Sequence, residues 1–288
     1  MSLHIAKTRF LSLRSTVSGR STLLFGLTLF IAIFGVALFA PYLGTRDPAV
    51  VSIVNRLAAP SDQFWFGTDA LGRDVYSRVL YGSRVSLIVG FSVALAVTVG
   101  GTALGLLAGF VRSADGIMMR IMDAVMSIPP MLLAIALVAL LGPSVPNVII
   151  AIALADLPRM ARLVRSVVLT LRDLPFVEAA KLSGTSTSAI MLRHILPNAL
   201  APIAVQATYV FAAAVLIEAA LSFIGAGTPS GTPSWGNIIA EARSLWQVKP
   251  HLVFVPAAFL SITVLSVNLI GDGVRDVLDP RNASGVQR

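Results

Sequence analysis

The sequence predicts an all-α protein that crosses a membrane six times, and three observations support this fold class. Of the 288 residues, 56% are hydrophobic and 12% are charged, whereas about 25% are charged in a typical soluble domain. The mean hydropathy is +0.84. Apolar runs that meet or approach the roughly 20 residues needed to cross a bilayer as a helix recur along the chain.

Six apolar runs are predicted to span the membrane. They are about Leu23–Leu43, Ser86–Val111, Ala124–Leu141, Val145–Arg162, Ala199–Phe223 and Leu252–Gly271. Prolines crowd the third and fourth runs, at positions 129, 130, 143 and 146. A spanning helix tolerates proline where neighbouring helices satisfy the freed carbonyl groups.

Basic residues predict the orientation of these spans. With the N-terminus in the cytoplasm, fifteen of the 22 Lys and Arg residues fall in inner segments, where such residues concentrate in membrane proteins. Both termini are therefore expected to be cytoplasmic. A cleaved signal peptide is the alternative for the first run, although its apolar stretch is longer than is usual for one.

This topology divides the chain into five segments. They are a cytoplasmic N-terminal segment (1–21), a first transmembrane helix (22–43), an external loop (44–85), a five-helix permease core (86–271) and a cytoplasmic tail (272–288). The core contains a cytoplasmic loop at 170–198.

Composition and missing motifs exclude several functions. The formal charge is +8, but the arginines lie between apolar runs without interleaved aromatics, so a nucleic-acid partner is not expected. The absence of cysteine excludes disulfides and Cys-ligated zinc. The three lysines follow Ala6, Ala180 and Val248 rather than glycine, so the chain has no P-loop for ATP. It also lacks HExxH and Gly-x-Ser-x-Gly motifs. We therefore expect no catalytic residues, no metal and no cofactor bound by this chain.

The loop between the fourth and fifth runs predicts a short helix outside the membrane. Asp173 or Leu174 can precede a helix that has Pro175 in its first turn. Glu178 then lies near the positive end of the helix dipole. Gly184 follows where a helix commonly ends with a residue of positive φ.

A second short helix is predicted within the same loop. Residues 186–188 offer an N-cap for a helix over Ile190–Leu196, which Pro197 is expected to stop. The loop is about 25 residues long, whereas helix–helix connections usually have two to eight. This length favours a docking site for a partner over an ordinary connector.

Glu178-Ala179-Ala180 followed by Gly184 resembles the EAA motif of bacterial ABC import permeases. The motif ends here in Ile195-Leu196-Pro197, one residue shorter between isoleucine and proline than the family pattern. In the family, this loop forms a coupling helix that sits in a cleft of the ATPase subunit. The resemblance gives that role to the following residues: Glu178, Ala179, Ala180 and Gly184, and more loosely Lys181, Leu182 and Ser183.

Further stretches resemble the dipeptide/oligopeptide/nickel permeases, in particular the C-type subunit that pairs with a longer B-type one. These stretches are 67–78, 81–84, 221–225, 233–236, 268–276 and 279–281. The resemblance implies the type I importer (MetI-like) fold in a bacterial inner membrane, with di- or oligopeptides as cargo. It also implies three kinds of partner: a second permease, one or two ATPase subunits (or a fused pair) that hold ATP and magnesium, and an extracytoplasmic substrate-binding protein.

Charged and aromatic residues in the external segments have simpler structural interpretations. Residues 67–84 alternate acids with arginines, which favours a salt-bridged collar over a metal site at Asp69 and Asp74. Residues 224–236 predict an irregular external loop. Within it, Trp235 is expected to mark the membrane interface or to contact a delivery protein.

Small and charged residues within the spans leave alternatives open. Glycines at 101, 105 and 109 repeat every four residues, a pattern that packs helices closely, either inside this subunit or against the partner permease. Arginines at 159, 162 and 165 share a helix face and are expected mainly to anchor it near the headgroups. Asp156 is expected to pair with Arg159 or Arg162.

Glu218 is the acid most clearly inside a predicted span, which makes it a candidate gate or pore residue. It could also form an interhelical hydrogen bond. In a proton-coupled secondary transporter, the alternative function, it would be the coupling group. The sequence disfavours that alternative because the same stretch has no second acid and the chain shows no inverted repeat of broken helices.

Overall fold

The computed structural model describes residues 2–278, with side chains from residue 20 onward. Its regular elements are helices, and in addition Thr68 and Asp74 form one isolated antiparallel bridge. The α-helices are α1 Ser2–Phe39, α2 Val75–Phe110, α3 Arg112–Met126, α4 Pro130–Leu141, α5 Val145–Leu171, α6 Pro175–Leu182, α7 Thr187–Ile190, α8 Leu196–Phe223, α9 Trp235–Ala242 and α10 His251–Leu278. The all-α class is confirmed.

Four segments are long and apolar enough to cross a membrane: Arg20–Tyr42, Val75–Phe110, Thr187–Phe223 and His251–Leu278. Helices α3 and α4 provide a fifth crossing only if they are counted together as one span with a bend of 86° between them. Helix α5 is outside this set, although it has 27 residues. The structure thus supports four or five of the six predicted spans by length and composition.

The third predicted span, Ala124–Leu141, is wrong as a single helix. Helix α3 ends at Met126, and α4 begins at Pro130 in a new direction. Pro129 adopts an extended conformation with ψ 130°, as expected for a residue that precedes another proline. The two adjacent prolines therefore end one helix and begin the next.

Helix α2 begins well before the apolar run that predicted it. Asp74 caps the helix by accepting a hydrogen bond from the backbone N–H of Ser77, which satisfies one of the free donors of a helix start. The first turns carry polar side chains that are nevertheless buried, such as Arg78 and Ser83. The predicted external loop 44–85 therefore ends at Asp74.

Glycines on α2 allow it to pack closely along α5. A Cβ atom at each glycine would lie 2.6 Å from a side-chain carbon of α5, at Met160, Val164 and Val168 for Gly101, Gly105 and Gly109 in turn. This matching order shows that the two helices run parallel. The glycine repeat therefore serves packing inside this subunit.

Helices α1 and α10 form a side of the bundle with an apolar surface. They run antiparallel, since Gly26 of α1 abuts Ser266 and Leu23 abuts Gly273. Large apolar side chains point outward from this side, among them Leu24, Phe25, Ile31, Phe254 and Leu265. This surface suits contact with lipid.

Candidate functional site

Helix α6, Pro175–Leu182, forms where the sequence predicted it, with Leu174 as its N-cap. Gly184 has a φ of +75°. The N–H of Gly184 donates to the carbonyl of Lys181 at 3.0 Å, and that of Thr185 to the carbonyl of Ala180 at 3.1 Å. These two bonds define a Schellman motif, in which glycine is the preferred residue at the left-handed position.

Six of the seven residues from Glu178 to Gly184 are exposed. The exception is Ala180, which is buried with Val177 in the chain's own core. Helix α6 therefore turns one face to the bundle and leaves Glu178 and Ala179 on its outer face. Leu182, at the end of the helix, is 90% exposed.

The base of this loop is attached to the end of α2. The Arg172 guanidinium donates to the carbonyl oxygen of Gly109 at 2.8 Å. The ammonium group of Lys181 lies 5.6 Å from the centre of the Phe110 ring, a distance at which a cation is attracted to an aromatic face. The loop is thus connected to α2 as well as to α5, from which it continues.

The second half of the loop differs from the prediction. Ser186 precedes α7 as expected, but Pro197 does not stop a helix. The chain continues through a π-helical turn, Met191–Ile195, into α8, where Pro197 lies in the first turn. Proline has no N–H to donate, and the first turn of a helix leaves its N–H groups free.

Four charged side chains form a largely buried network at the end of the bundle that carries α9. Arg73 and Arg78 each bond both Asp69 and Glu241, with N–O distances between 2.5 and 2.7 Å. Arg78 is almost fully buried. The predicted salt-bridged collar is confirmed, and it extends to Glu241 on α9, more than 160 residues away in the chain.

Asp69 and Asp74, the two carboxylates considered for a metal site, bond groups of the protein itself. Burial raises the pKa of Asp69, but hydrogen bonds from the Arg73 and Leu71 N–H groups and the charges of Arg78 and Arg73 outweigh it, so the pKa lies below its usual value. Asp74 instead accepts bonds from Ser77. Across the residues that the structure describes, no group of three or more His, Cys, Asp or Glu is placed to hold a metal ion.

Glu218 is fully buried within the chain. Ser222 donates to its Oε1 at 2.9 Å, and Ser86 of α2 donates to its Oε2 at 3.4 Å. Ser222 also lies 3.3 Å from the hydroxyl of Thr228, which in turn lies 3.4 Å from that of Ser234. Glu218 therefore connects α8, α2 and the loop before α9. The sequence analysis did not identify the serines around Glu218. The signal that could have pointed to one of them is the position of Ser234 at the start of a helix, where it is the N-cap.

Trp235 occupies neither of the two places that the sequence suggested for it. Its side chain is fully buried, and its Nε1 donates to the backbone carbonyl of Val79 on α2 at 3.1 Å. It therefore joins α9 to α2. The irregular loop before it, residues 224–234, agrees with the prediction.

Three arginines of α5 pair with acids, and two of these acids were not singled out by the sequence analysis. Arg159 bonds the buried Asp156 at 3.2 Å, as predicted. Arg162 bonds Asp123 at 2.5 Å. Arg165 bonds Asp115 through two N–O contacts of 2.5 and 2.7 Å. Asp115 and Asp123 both lie on α3. They are eight residues apart, which places them on one face of the helix.

These features define a multi-pass helical membrane protein with a structured, exposed loop between two of its helices. The family model described as "Binding-protein-dependent transport system inner membrane component" matches residues 101–284. The chain belongs to this family and is an inner-membrane transport subunit. The matched range includes α6 and the rest of the exposed loop.

Relatives and a solved structure agree with this assignment. The chain is 49% identical to a probable peptide ABC transporter permease protein of Sinorhizobium fredii, over 86% of this chain and 84% of the relative. It is 45% identical to the dipeptide transport system permease protein of Alkalihalophilus pseudofirmus, over 90% and 86%. A chain of the MetNI methionine ABC transporter in an inward-facing conformation shares the fold, with a TM-score of 0.58 and 20% identity over 69% of this chain and 96% of that one.

Proposed function

We propose that this chain is the C-type permease of a peptide importer and forms the pathway together with a homologous second permease. The relatives are described as peptide and dipeptide permeases, and this similarity supports peptides as the cargo. Separate ATPase subunits, or a fused pair, supply the energy and hold ATP and magnesium. An extracytoplasmic binding protein delivers the peptide.

The proposed topology has six crossings and both termini in the cytoplasm. Because α2 and α5 run parallel, the segment between them, α3 and α4, has to return across the membrane. Helix α5 is about 40 Å long at 1.5 Å per residue, which is more than the hydrocarbon core of about 30 Å. These observations support dividing the chain into 1–21, 22–43, a loop that ends at Asp74, a helical core to 271, and the tail. The last residues of that tail, 279–288, lie outside the described part.

The loop at 170–198 is the proposed docking site for the ATPase. Its support is an exposed helix that presents Glu178, Ala179 and Leu182 on a surface that the described part of the chain leaves uncovered. Lys181, Ser183 and Gly184 lie next to this surface, whereas Ala180 holds the helix to the core. A partner that moves α6 also moves the ends of α2 and α5, because Arg172 and Lys181 join the loop to α2.

The alternative, a proton-coupled carrier that uses Glu218, is disfavoured by the family assignment. The environment of Glu218 suggests a different role for this residue. Glu218 bonds Ser86 of α2 and Ser222 of its own helix, and Ser222 in turn contacts Thr228 in the loop before α9. We therefore place Glu218 in the wall at the outer gate, where it helps to hold that loop against α2.

Reconstitution of the full complex with a labelled dipeptide tests the cargo and the motor. We expect uptake that requires ATP and the binding protein, and that continues when the proton gradient is collapsed. Uptake that follows the proton gradient without ATP would establish the carrier alternative. Failure of any short peptide to accumulate, while ATP hydrolysis responds to the binding protein, would exclude peptides as cargo.

Substitutions in the loop test the docking site. Gly184→Val forces a β-branched residue into the left-handed region, which costs about 1–2 kcal/mol or more, and Glu178→Arg reverses the charge of the outer face. Both variants are expected to insert normally but to lose coupling between ATP hydrolysis and uptake. Gly184→Asn is the matched control, because asparagine tolerates this backbone conformation. Normal uptake by both Gly184→Val and Glu178→Arg would rule out the docking role.

A further inference from the structure

We infer that the cleft between α3 and α5 forms part of the wall of the aqueous peptide pathway, with Met119, Met126, Asp123 and Arg162 as residues that the peptide contacts. This inference rests on the proposed peptide cargo. It names the surface of this chain that faces the cargo, which the family assignment leaves open.

The depth of the α5 arginines is the first argument. At 1.5 Å per residue, Arg159 and Arg162 lie about 21 and about 26 Å from the start of α5 at Val145. Both values are within the roughly 30 Å of the hydrocarbon core if α5 starts at its outer edge. Their side chains are nevertheless 50% and 49% exposed. A half-exposed charge at this depth is costly against lipid, so such residues typically face a water-filled cavity.

The opposite side of the bundle provides the contrast. At about 21 Å along α10, the same depth as Arg159, the exposed residue is Leu265. The exposed acids of α10, Asp272 and Asp276, lie about 32 Å or more from its start, beyond the hydrocarbon core. The side formed by α1 and α10 therefore suits lipid, and the side formed by α3 and α5 suits water.

The chemistry of the cleft fits a peptide. Its volume is about 660 Å³, and it is lined by Met119, Asp123, Met126, Ser127, Arg162 and Arg165. Asp123 and Arg162 form an exposed ion pair, which offers a carboxylate to a peptide's ammonium end and a guanidinium to its carboxylate end. Methionine side chains are flexible and adapt to different partners, as peptides of varied sequence require.

Single cysteines test the inference, because the chain has no native cysteine. Met119→Cys and Met126→Cys are introduced into the full transporter with cysteine-free partners and treated with a charged, membrane-impermeant thiol reagent from the cytoplasmic side. Modification is expected to reduce dipeptide uptake at least fivefold, and an excess of dipeptide is expected to slow modification severalfold. Leu265→Cys, at the depth of Arg159 on the opposite side of the bundle, is the control and is expected to stay unreactive.

Three results would overturn the inference: no modification of either cysteine, modification that leaves uptake intact, or modification that peptide does not slow. The last result would mean that the cleft lies at the headgroups outside the pathway. If the unmodified transporter takes up no dipeptide, the proposed cargo fails instead, and the difference in labelling between Met126→Cys and Leu265→Cys still decides whether this face meets water.

A comparison of two cargoes tests the ion pair. Asp123→Asn is expected to lower uptake of a free dipeptide about tenfold and to change uptake of its N-acetylated form less than twofold, because the acetylated peptide brings no ammonium group to the carboxylate. An equal loss for both peptides would show that Asp123 has only a structural role in holding α3 to α5.

Discussion

The glycines between α2 and α5 make a prediction whose size can be worked out from the structure. In Gly105→Ala, the new Cβ would lie 2.6 Å from both the carbonyl oxygen of Ala161 and the Cβ of Val164. Neither atom can rotate away, so the helices have to separate by about 0.8 Å to restore an ordinary contact of 3.4 Å. Overpacking of this kind costs about 1–3 kcal/mol, and the better helix propensity of alanine returns at most about 1 kcal/mol.

We therefore expect Gly105→Ala to lower the free energy of unfolding by about 1–2 kcal/mol. Gly116→Ala is the matched control, since a Cβ there meets nothing within 4 Å and should stabilise α3 by up to about 1 kcal/mol. Reversible unfolding in mixed micelles, followed by tryptophan fluorescence, measures both. If Gly105→Ala proves as stable as Gly116→Ala, the close approach of α2 and α5 is not as described.

Two further substitutions address the buried polar groups. Arg78→Met should destabilise the protein by about 3–5 kcal/mol, because it leaves two carboxylates with one guanidinium. The lowered pKa of Asp69 contributes stability at pH values above the ordinary pKa of 3.8, and the wild-type protein loses this contribution as the pH falls through the lowered pKa. When stability is measured during acid titration, Arg78→Met should lose the contribution at a higher pH than the wild type. An acid transition at the same pH in both proteins would contradict this. Glu218→Gln keeps the shape and one acceptor oxygen, so ATP-driven uptake should stay within about threefold, whereas Glu218→Ala leaves buried hydroxyl groups unpaired and should cost about 1–3 kcal/mol of stability.

The exposed loop was predictable from the sequence because its signals are local. Pro175 at a helix start and Gly184 at a helix end each depend on the backbone of one or two residues. The structure gives both the positions that the sequence indicated. The prediction failed at Pro197, where the same residue type is compatible with a helix stop and with the first turn of a longer helix.

The polar clusters could not be predicted in full because their members are distant in sequence. The pairing of Arg78 with Glu241 and of Glu218 with Ser86 joins residues more than 130 positions apart. The position of Trp235 in a predicted external loop suggested the membrane interface or a contact with a delivery protein, but a tryptophan with one N–H donor is equally suited to a buried site with one free carbonyl. The carbonyl of Val79 supplies that acceptor.

The cost of charge in an apolar environment separates the charged residues of this chain into two kinds. At the end that carries α9, the charges are buried except for the partly exposed Glu241, and each bonds two partners of opposite sign, as a low dielectric requires. On α5, Arg159 and Arg162 each have a single acid partner and remain half exposed. A single acid partner at that depth does not stabilise the arginine charge enough in lipid. Beside water one partner is enough, because water screens the remaining charge. If α5 starts at the outer edge of the membrane, the α5 arginines are therefore expected to face water, which the inferred pathway through the membrane would supply.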